Sequence, residues 1–336
     1  MTEADRKRRA ALEVAGGGTL IVSTPENVRW LLCGRGRPVD VGSADYTVVL
    51  ADDSAHVLFA DIERPRVEAE ERLGELGYEL APYAWYEGRE DQTDTEVDLA
   101  PLRRALCPEE VERYRAAGAD AAAAFVEALA RLAPGLTELE AAGELAQAAR
   151  DRDLVARVNL VGGEERQPVH RHPLPTSARL GRHALLAFTV ERDGLHVSMT
   201  RIVSFGPPPD RLAALVRASA EVDAAVIGAS RPGRTHGELL EVIADAYDRE
   251  GFPEEWRRHH QGGLTGYKGR EVFAVPGEST PLPPVGAAAW NPSVTGGGKS
   301  EDTVIVSGED HEVLTRTREL GELETHGLPR PAIVEL

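Results

Sequence analysis

The residue types best suited to chemistry in this chain are histidines. His170 and His172 stand on a proline-broken stretch, Val169-His-Arg-His-Pro-Leu-Pro175. His259 and His260 are adjacent, in Arg257-Arg-His-His-Gln-Gly-Gly-Leu-Thr-Gly-Tyr267. Imidazole titrates near neutrality, so it can give or take a proton at ordinary pH. The bland alternative is a loop or helix-end histidine with no role beyond satisfying a backbone group. One carboxylate joins them, Glu301 in Lys299-Ser-Glu-Asp-Thr303. It suits orienting a histidine or anchoring a cationic substrate, against a structural ion pair with Lys299 or an arginine. Arg35 and Arg37 alternate with Gly34 and Gly36. Flexible glycines around two cations suit a clamp for an anionic group, against an ordinary solvated loop.

Such residues need elements to hold them. Downstream of His172, Ala184 to Val190 is a short apolar run, Glu191 to Gly194 a charged turn, and Leu195 to Phe205 an alternating run. That pattern predicts a β-hairpin with histidines on the loop before it. Glu191 and Asp193 are expected to face solvent from the turn, and Thr200, Arg201 and Trp290 to be structural. Strands are expected at Thr19–Ser23, Tyr46–Ala51, His56–Ala60 and Tyr78–Tyr83, with a helix from Pro25 and another over Glu63–Leu76. The polar stretch Glu87–Asp98 reads as a linker. Beyond it the motif P-G-x-T-x-x-E occurs twice, at Pro134–Glu140 and Pro232–Glu238. Each copy carries a capping box, Thr137/Glu140 and Thr235/Glu238, and each sits between two helical stretches. A repeat of this kind predicts two αα units, each feeding strands, related by a pseudo-two-fold. His236 falls inside the second box and is expected on the surface.

Composition excludes several classes. The 336 residues carry a net charge of -18, which disfavours nucleic acid as a partner because phosphates need a basic face. No apolar run approaches membrane-spanning length and no signal peptide is evident, so no membrane partner is expected. Two cysteines, Cys33 and Cys107, form neither a disulfide framework nor a metal pattern. A cytoplasmic location is the default.

Taken in order, the motifs resemble the creatinase/aminopeptidase superfamily, the M24-peptidase-like proteins of the pita-bread fold. That superfamily includes methionine and proline-specific aminopeptidases, prolidases, creatinases and ectoine hydrolases. Thr19–Gly34 is similar to its opening strand and helix, and Glu109-Glu-Val-Glu-Arg-Tyr-Arg115 to the helix that opens its catalytic domain. Ser198-Met-Thr-Arg201 and Ser300-Glu-Asp-Thr303 resemble two of its strand motifs. The resemblance implies an α/β protein with a creatinase-like N-terminal domain over 1–102 and a pita-bread domain over 103–336. It also implies a homodimer, in which the Arg35 loop would reach the neighbouring subunit.

The superfamily's metallopeptidases hold two metals with Asp, Asp, His, Glu and Glu. By resemblance these positions fall on Ala187, Ser198, His260 (or His259), Asn291 and Glu301, and the family's second histidine falls on Tyr267. His172 stands where the family's upstream histidine binds substrate or moves a proton, with His170 able to take its place. The expectation is therefore a hydrolase without metal or other cofactor, creatinase-like, cleaving a C–N bond in a small amide, amidine or guanidine. His172, His260 and Glu301 would be catalytic. His170, Ser198, His259, Tyr267, Asn291 and Arg35 would bind substrate. The alternatives are an Xaa-Pro aminopeptidase-like metallopeptidase, a lyase or biosynthetic tailoring enzyme, and a non-catalytic binding module.

Overall fold

The computed structural model describes residues 1–40, 45–87 and 94–336. The chain divides into two compact units, Met1–Glu109 with Asp193–Leu195, and Glu110–Arg192 with His196–Leu336.

In the first unit, α1 (Glu3–Val14) starts on a capping box of Thr2 and Asp5, and α2 (Pro25–Leu31) has proline in its first turn. Four strands, β1 (Leu20–Val22), β2 (Thr47–Ala51), β3 (Ser54–Ala60) and β4 (Glu79–Tyr83), form one sheet in chain order. The helix expected over Glu63–Leu76 is broken into short turns, with Arg72 in the left-handed region at φ 50°. Gly74 disfavours one continuous helix there, whereas Pro65 sits in the first turn, where proline is tolerated. The break leaves carbonyls unsatisfied, and Arg35 answers two of them, donating to Glu71 O at 3.2 Å and Arg72 O at 2.8 Å. The Glu71 carboxylate in turn accepts from Gly36 N at 2.6 Å and Arg37 N at 3.0 Å. The Gly-Arg-Gly-Arg loop is thus pinned within its own unit and is not the flexible clamp its glycines suggest. Of the expected linker, residues 88–93 lie outside the described residues. Asp94 accepts from Ser23 N at 2.9 Å and Ser23 Oγ at 2.6 Å, so that end is tied to the sheet.

The second unit is built twice over. α3 (Pro108–Leu129), of which Pro108 and Glu109 fall in the first unit, and α4 (Glu138–Arg150) precede β5 (Val155–Gly163), β6 (His183–Arg192) and β7 (Leu195–Ser204). Then α5 (Asp210–Ala229) and α6 (His236–Arg249) precede β8 (Gly262–Thr265), β9 (Val272–Phe273), β10 (Val285–Trp290), β11 (Asp302–Ser307) and β12 (Asp310–Val313). Both capping boxes form, with each threonine hydroxyl accepting from the backbone three residues on. Each capping threonine also makes an isolated antiparallel bridge to a downstream segment, Thr137 to Arg179 and Thr235 to Pro281. The flanking bonds match: Glu138 N donates to Ala178 O as His236 N donates to Thr280 O. The repeat is therefore one of backbone pairing as well as of sequence.

β6 and β7 form the expected hairpin, flanked by β5 and by a short β13 (Val334–Glu335) parallel to β7, in the order β13-β7-β6-β5. The other sheet runs β12-β11-β10-β8-β9. A bridge between Thr200 and Glu301 joins the two sheets. The core between α5, α6 and the second sheet includes Trp290 and Tyr247, both fully buried. Trp290 is core, its ring nitrogen donating to Ser230 Oγ at 3.1 Å. Four buried charges form a chain behind the strands. Arg201 and Arg330 both pair with Asp302, at 2.9 Å and 2.7 Å, and Arg330 pairs with Asp223 at 2.7 Å.

Two expectations fail on tertiary grounds. His236 is buried rather than on the surface, because the segment at Thr280 packs over its helix start, with the Thr280 carbonyl oxygen 2.7 Å from His236 Nδ1. Glu191 is buried rather than solvated, because β5 brings Arg157 onto its carboxylate at 2.5 Å.

Candidate active site

Arg171 positions His172. Its guanidinium donates to Ser293 O at 2.8 Å, Ser293 Oγ at 2.6 Å and Thr295 Oγ1 at 2.8 Å, and it pairs with Glu255. This staples the proline-broken loop to the turn after β10. His172 then meets His259, Nε2 to Nε2 at 2.9 Å. His260 completes the group, its ring 4.4 Å from that of His259 and 5.6 Å from that of His172. His170 faces elsewhere, exposed beside a small cleft along Ser293–Lys299.

The adjacent histidines are held by the residue that follows them. Gln261 is buried, donates to His259 O at 2.6 Å and accepts from Tyr247 OH at 3.0 Å. Gly262 and Gly263 open β8 with φ of 95° and 147°. A Cβ on Gly262 would lie 2.2 Å from Ala289 O, and one on Gly263 would lie 2.1 Å from Val272 O. Only glycine allows so close an approach of neighbouring strands.

Glu301 forms the polar end of the site. Thr200 Oγ1 donates to its Oε2 at 2.6 Å, Arg270 pairs with its Oε1 at 3.1 Å, and Lys299 Nζ lies 3.9 Å from Oε2. Burial pushes this carboxyl up, but Lys299, Arg270 and Thr200 outweigh it and hold it below the usual carboxylate range. Burial also pushes the Lys299 ammonium down, against the pull of Glu301. Glu301 is therefore not a free anchor for a cationic substrate, since both oxygens already have cationic or hydroxyl partners.

A cavity of about 550 Å³ lies over this floor. Arg270, Lys299, Glu301 and Asn291 line one part, His172 and His260 another. Val158, Leu160, Leu174, Phe188 and Phe273 make apolar walls. Ala187 and the half-buried His196 also line it. Asn291 Oδ1 is buried with no hydrogen-bond partner among the described residues. The imidazoles sit in a positive field, with His172 and His260 open to solvent and His259 partly buried. Burial, then Lys299, lowers His172; burial, then Arg270 and Lys299, pushes His260 down to about 4; burial, then Lys299, drives His259 further down. All three rings are thus neutral at neutral pH.

Of the residues singled out by sequence, His172, His259, His260, Asn291 and Glu301 are brought together. Ser198 lies just behind, its hydroxyl 2.9 Å from Thr189 Oγ1 and 3.4 Å from Arg270. Tyr267 is displaced from a substrate-binding role, because its hydroxyl donates to Glu110 on α3 at 2.8 Å and it does not line the cavity. Arg35 belongs to the first unit, held as described. The sequence reading missed Arg171, Arg270, Lys299, Gln261 and His196 as parts of the site. Arg270 and Lys299 carried a usable signal, being charged residues close in sequence to the glycine-rich and acidic motifs.

The two-metal centre that the superfamily resemblance implies does not fit these residues. A pair of divalent ions needs several anionic oxygens. Here Ala187 has no donor, Ser198 and Asn291 are neutral, and the one carboxylate is neutralised by two cations.

Comparison with known proteins gives concordant findings. Residues 112–308 match the model of metallopeptidase family M24. The Xaa-Pro dipeptidase of Lactobacillus helveticus is 26% identical over 165 residues, which span 48% of this chain and 45% of that protein. The chain thus spans about half the length of that curated relative. The prolidase of Pyrococcus horikoshii OT3 superposes with a TM-score of 0.75 at 15% identity, covering 97% of this chain and 100% of that one. Dipeptidase PepE of Mycobacterium ulcerans superposes with a TM-score of 0.72 at 19% identity, covering 99% and 98%. With its doubled ααβ architecture shared with these structures and more than half its length matched by the family model, the chain belongs to metallopeptidase family M24 and has the pita-bread fold.

Proposed function

We propose that the protein hydrolyses the amide C–N bond of a small, carboxylate-bearing, peptide-like substrate without the family's two-metal centre. The observation that carries this reading is the ion-paired floor, one carboxylate between two cations beside three neutral imidazoles. Arg270 and Lys299 leave a net positive end to the cavity, which attracts an anion and repels a guanidinium or amidinium. That favours amides over the amidine and guanidine substrates. The name of the Lactobacillus relative specifies an Xaa-Pro dipeptide, itself an amide with a free carboxylate. The apolar walls suit the rest of such a molecule.

In this reading His260 takes a proton from water, whose oxygen bonds to the carbonyl carbon. The C–N bond then breaks, and the imidazole returns the proton to the departing nitrogen. His172 shares the proton work across the cluster. The charges of Lys299 and Arg270 stabilise the oxyanion. A bound carboxylate offsets those same charges, so the imidazole becomes a stronger base when substrate is in place.

The test is amine release from a panel of dipeptides, Xaa-Pro included, and N-acyl amino acids after exhaustive chelation. Turnover should persist, and C-terminally amidated counterparts should be poor substrates. His260→Ala should lower kcat by about 10²–10⁴-fold, the usual cost of losing a general acid or base. Activity that disappears with chelator and returns with Mn²⁺ or Co²⁺ would sink the metal-free reading. It would establish the second one, a metal-dependent Xaa-Pro dipeptidase, which the family match over residues 112–308 favours.

A further inference from the structure

We infer that His172, His259 and His260 form a binding site for a single transition-metal ion of the zinc, cobalt or nickel class. The site differs in composition from the carboxylate-rich centre of the metallopeptidases. One nitrogen from each ring lies within 4.8 Å of the other two. Among the described residues these rings make one hydrogen-bond contact, that between the Nε2 atoms of His172 and His259 at 2.9 Å. His259 Nδ1 is buried with no hydrogen-bond partner among the described residues. A native protein rarely leaves buried polar atoms in this state, and an ion or ordered water is a usual reason.

The ligand chemistry selects the ion. Imidazole nitrogen suits zinc, cobalt, nickel and copper, while magnesium and calcium need oxygen ligands that this cluster lacks. Three histidines with a fourth position left to water are a known zinc arrangement. Ligand atoms at about 2.0–2.1 Å from a tetrahedral ion lie about 3.3 Å apart, so the widest separation must close by up to about 1.5 Å. His172 can supply that movement because it is exposed on a loop. Coordination requires unprotonated rings, so binding should weaken as pH falls. Lys299 and Arg270 repel the ion and weaken its binding.

An ion here takes the lone pairs that proton transfer would use. Metal binding and acid–base use of the cluster therefore exclude one another, and added ion should inhibit the reaction proposed above. The binding itself does not depend on that reaction, and its test uses no substrate. Metal-stripped full-length protein is titrated with Co²⁺, watching the visible bands of tetrahedral cobalt, and with Zn²⁺ by calorimetry. One equivalent should bind, with bands that His259→Ala and His172→Ala each abolish and His170→Ala leaves intact. Circular dichroism checks that each variant is folded. The absence of saturable binding, or binding that survives both His259→Ala and His172→Ala, overturns the site. Such a failure would leave the hydrolase reading standing.

Discussion

Arg171 decides which of its two histidine neighbours serves the cavity. By fixing itself on Ser293, Thr295 and Glu255, it turns His172 toward His259 and leaves His170 outside. Arg171→Met should therefore lower kcat by about 10²-fold, the scale of a displacement of about an ångström at a reacting group. His170→Ala should be silent by the same assay. A second prediction concerns pH. A base works when unprotonated, so a lowered pKa extends its range to lower pH. The acid limb of kcat/KM, which reports the free enzyme, should fall near the value of about 4 held by His260. The limb of kcat should lie higher, because bound carboxylate offsets Arg270 and Lys299. Coincident limbs near the ordinary imidazole value would contradict both the field and its neutralisation. The histidines were legible in the sequence from their type alone. Of the cations, Lys299 stands two residues from Glu301 and its pairing was open to the sequence, whereas Arg270 reaches Glu301 only through the fold.

Elements held by local chemistry were read correctly. The capping boxes at Thr137 and Thr235 need only residues three apart, and both form. The broken stretch before Leu76 was missed because the stabilising partner, Arg35, lies far away in sequence. The burial of His236 and Glu191 was missed for the same reason. Strand β5 went unassigned although it pairs along its length with β6 and brings Arg157 to Glu191. The glycine pair of β8 is visible in the sequence, but its necessity comes from the strands on either side. Gly263→Ala should destabilise the fold by about 2 kcal/mol or more, because its new Cβ overpacks a rigid carbonyl. Urea denaturation measures this, and an unchanged midpoint would show that the strands can part at no cost.

On the scale of the whole molecule, the pita-bread fold follows from motif order together with the repeat. Association does not follow so directly. A homodimer is a proposal that rests on the resemblance, and with Arg35 engaged inside its own unit it no longer has that residue's support. Sedimentation at micromolar concentration decides it, a one-chain mass counting against. The buried charges give a firmer expectation. Arg330→Ala leaves Asp223 and Asp302 short of a partner in the interior, and should cost about 3–5 kcal/mol in unfolding free energy. A loss below about 1 kcal/mol, the scale of an exposed pair, would mean that water reaches the cluster.

The path of the last residues has a consequence for synthesis. β13 lies along β7, and Arg330 just before it reaches Asp223 and Asp302 behind the strands. During translation the hairpin of β6 and β7 emerges long before either piece exists. Until then β7 is an open edge, and Asp223 has no cation to meet it. Folding of domains ordinarily keeps pace with the ribosome. Here the Val203–Ser204 end of β7 gains its outer partner only after residue 335 has left the exit tunnel, so a nascent chain stalled short of that point would leave that end of the strand unpaired.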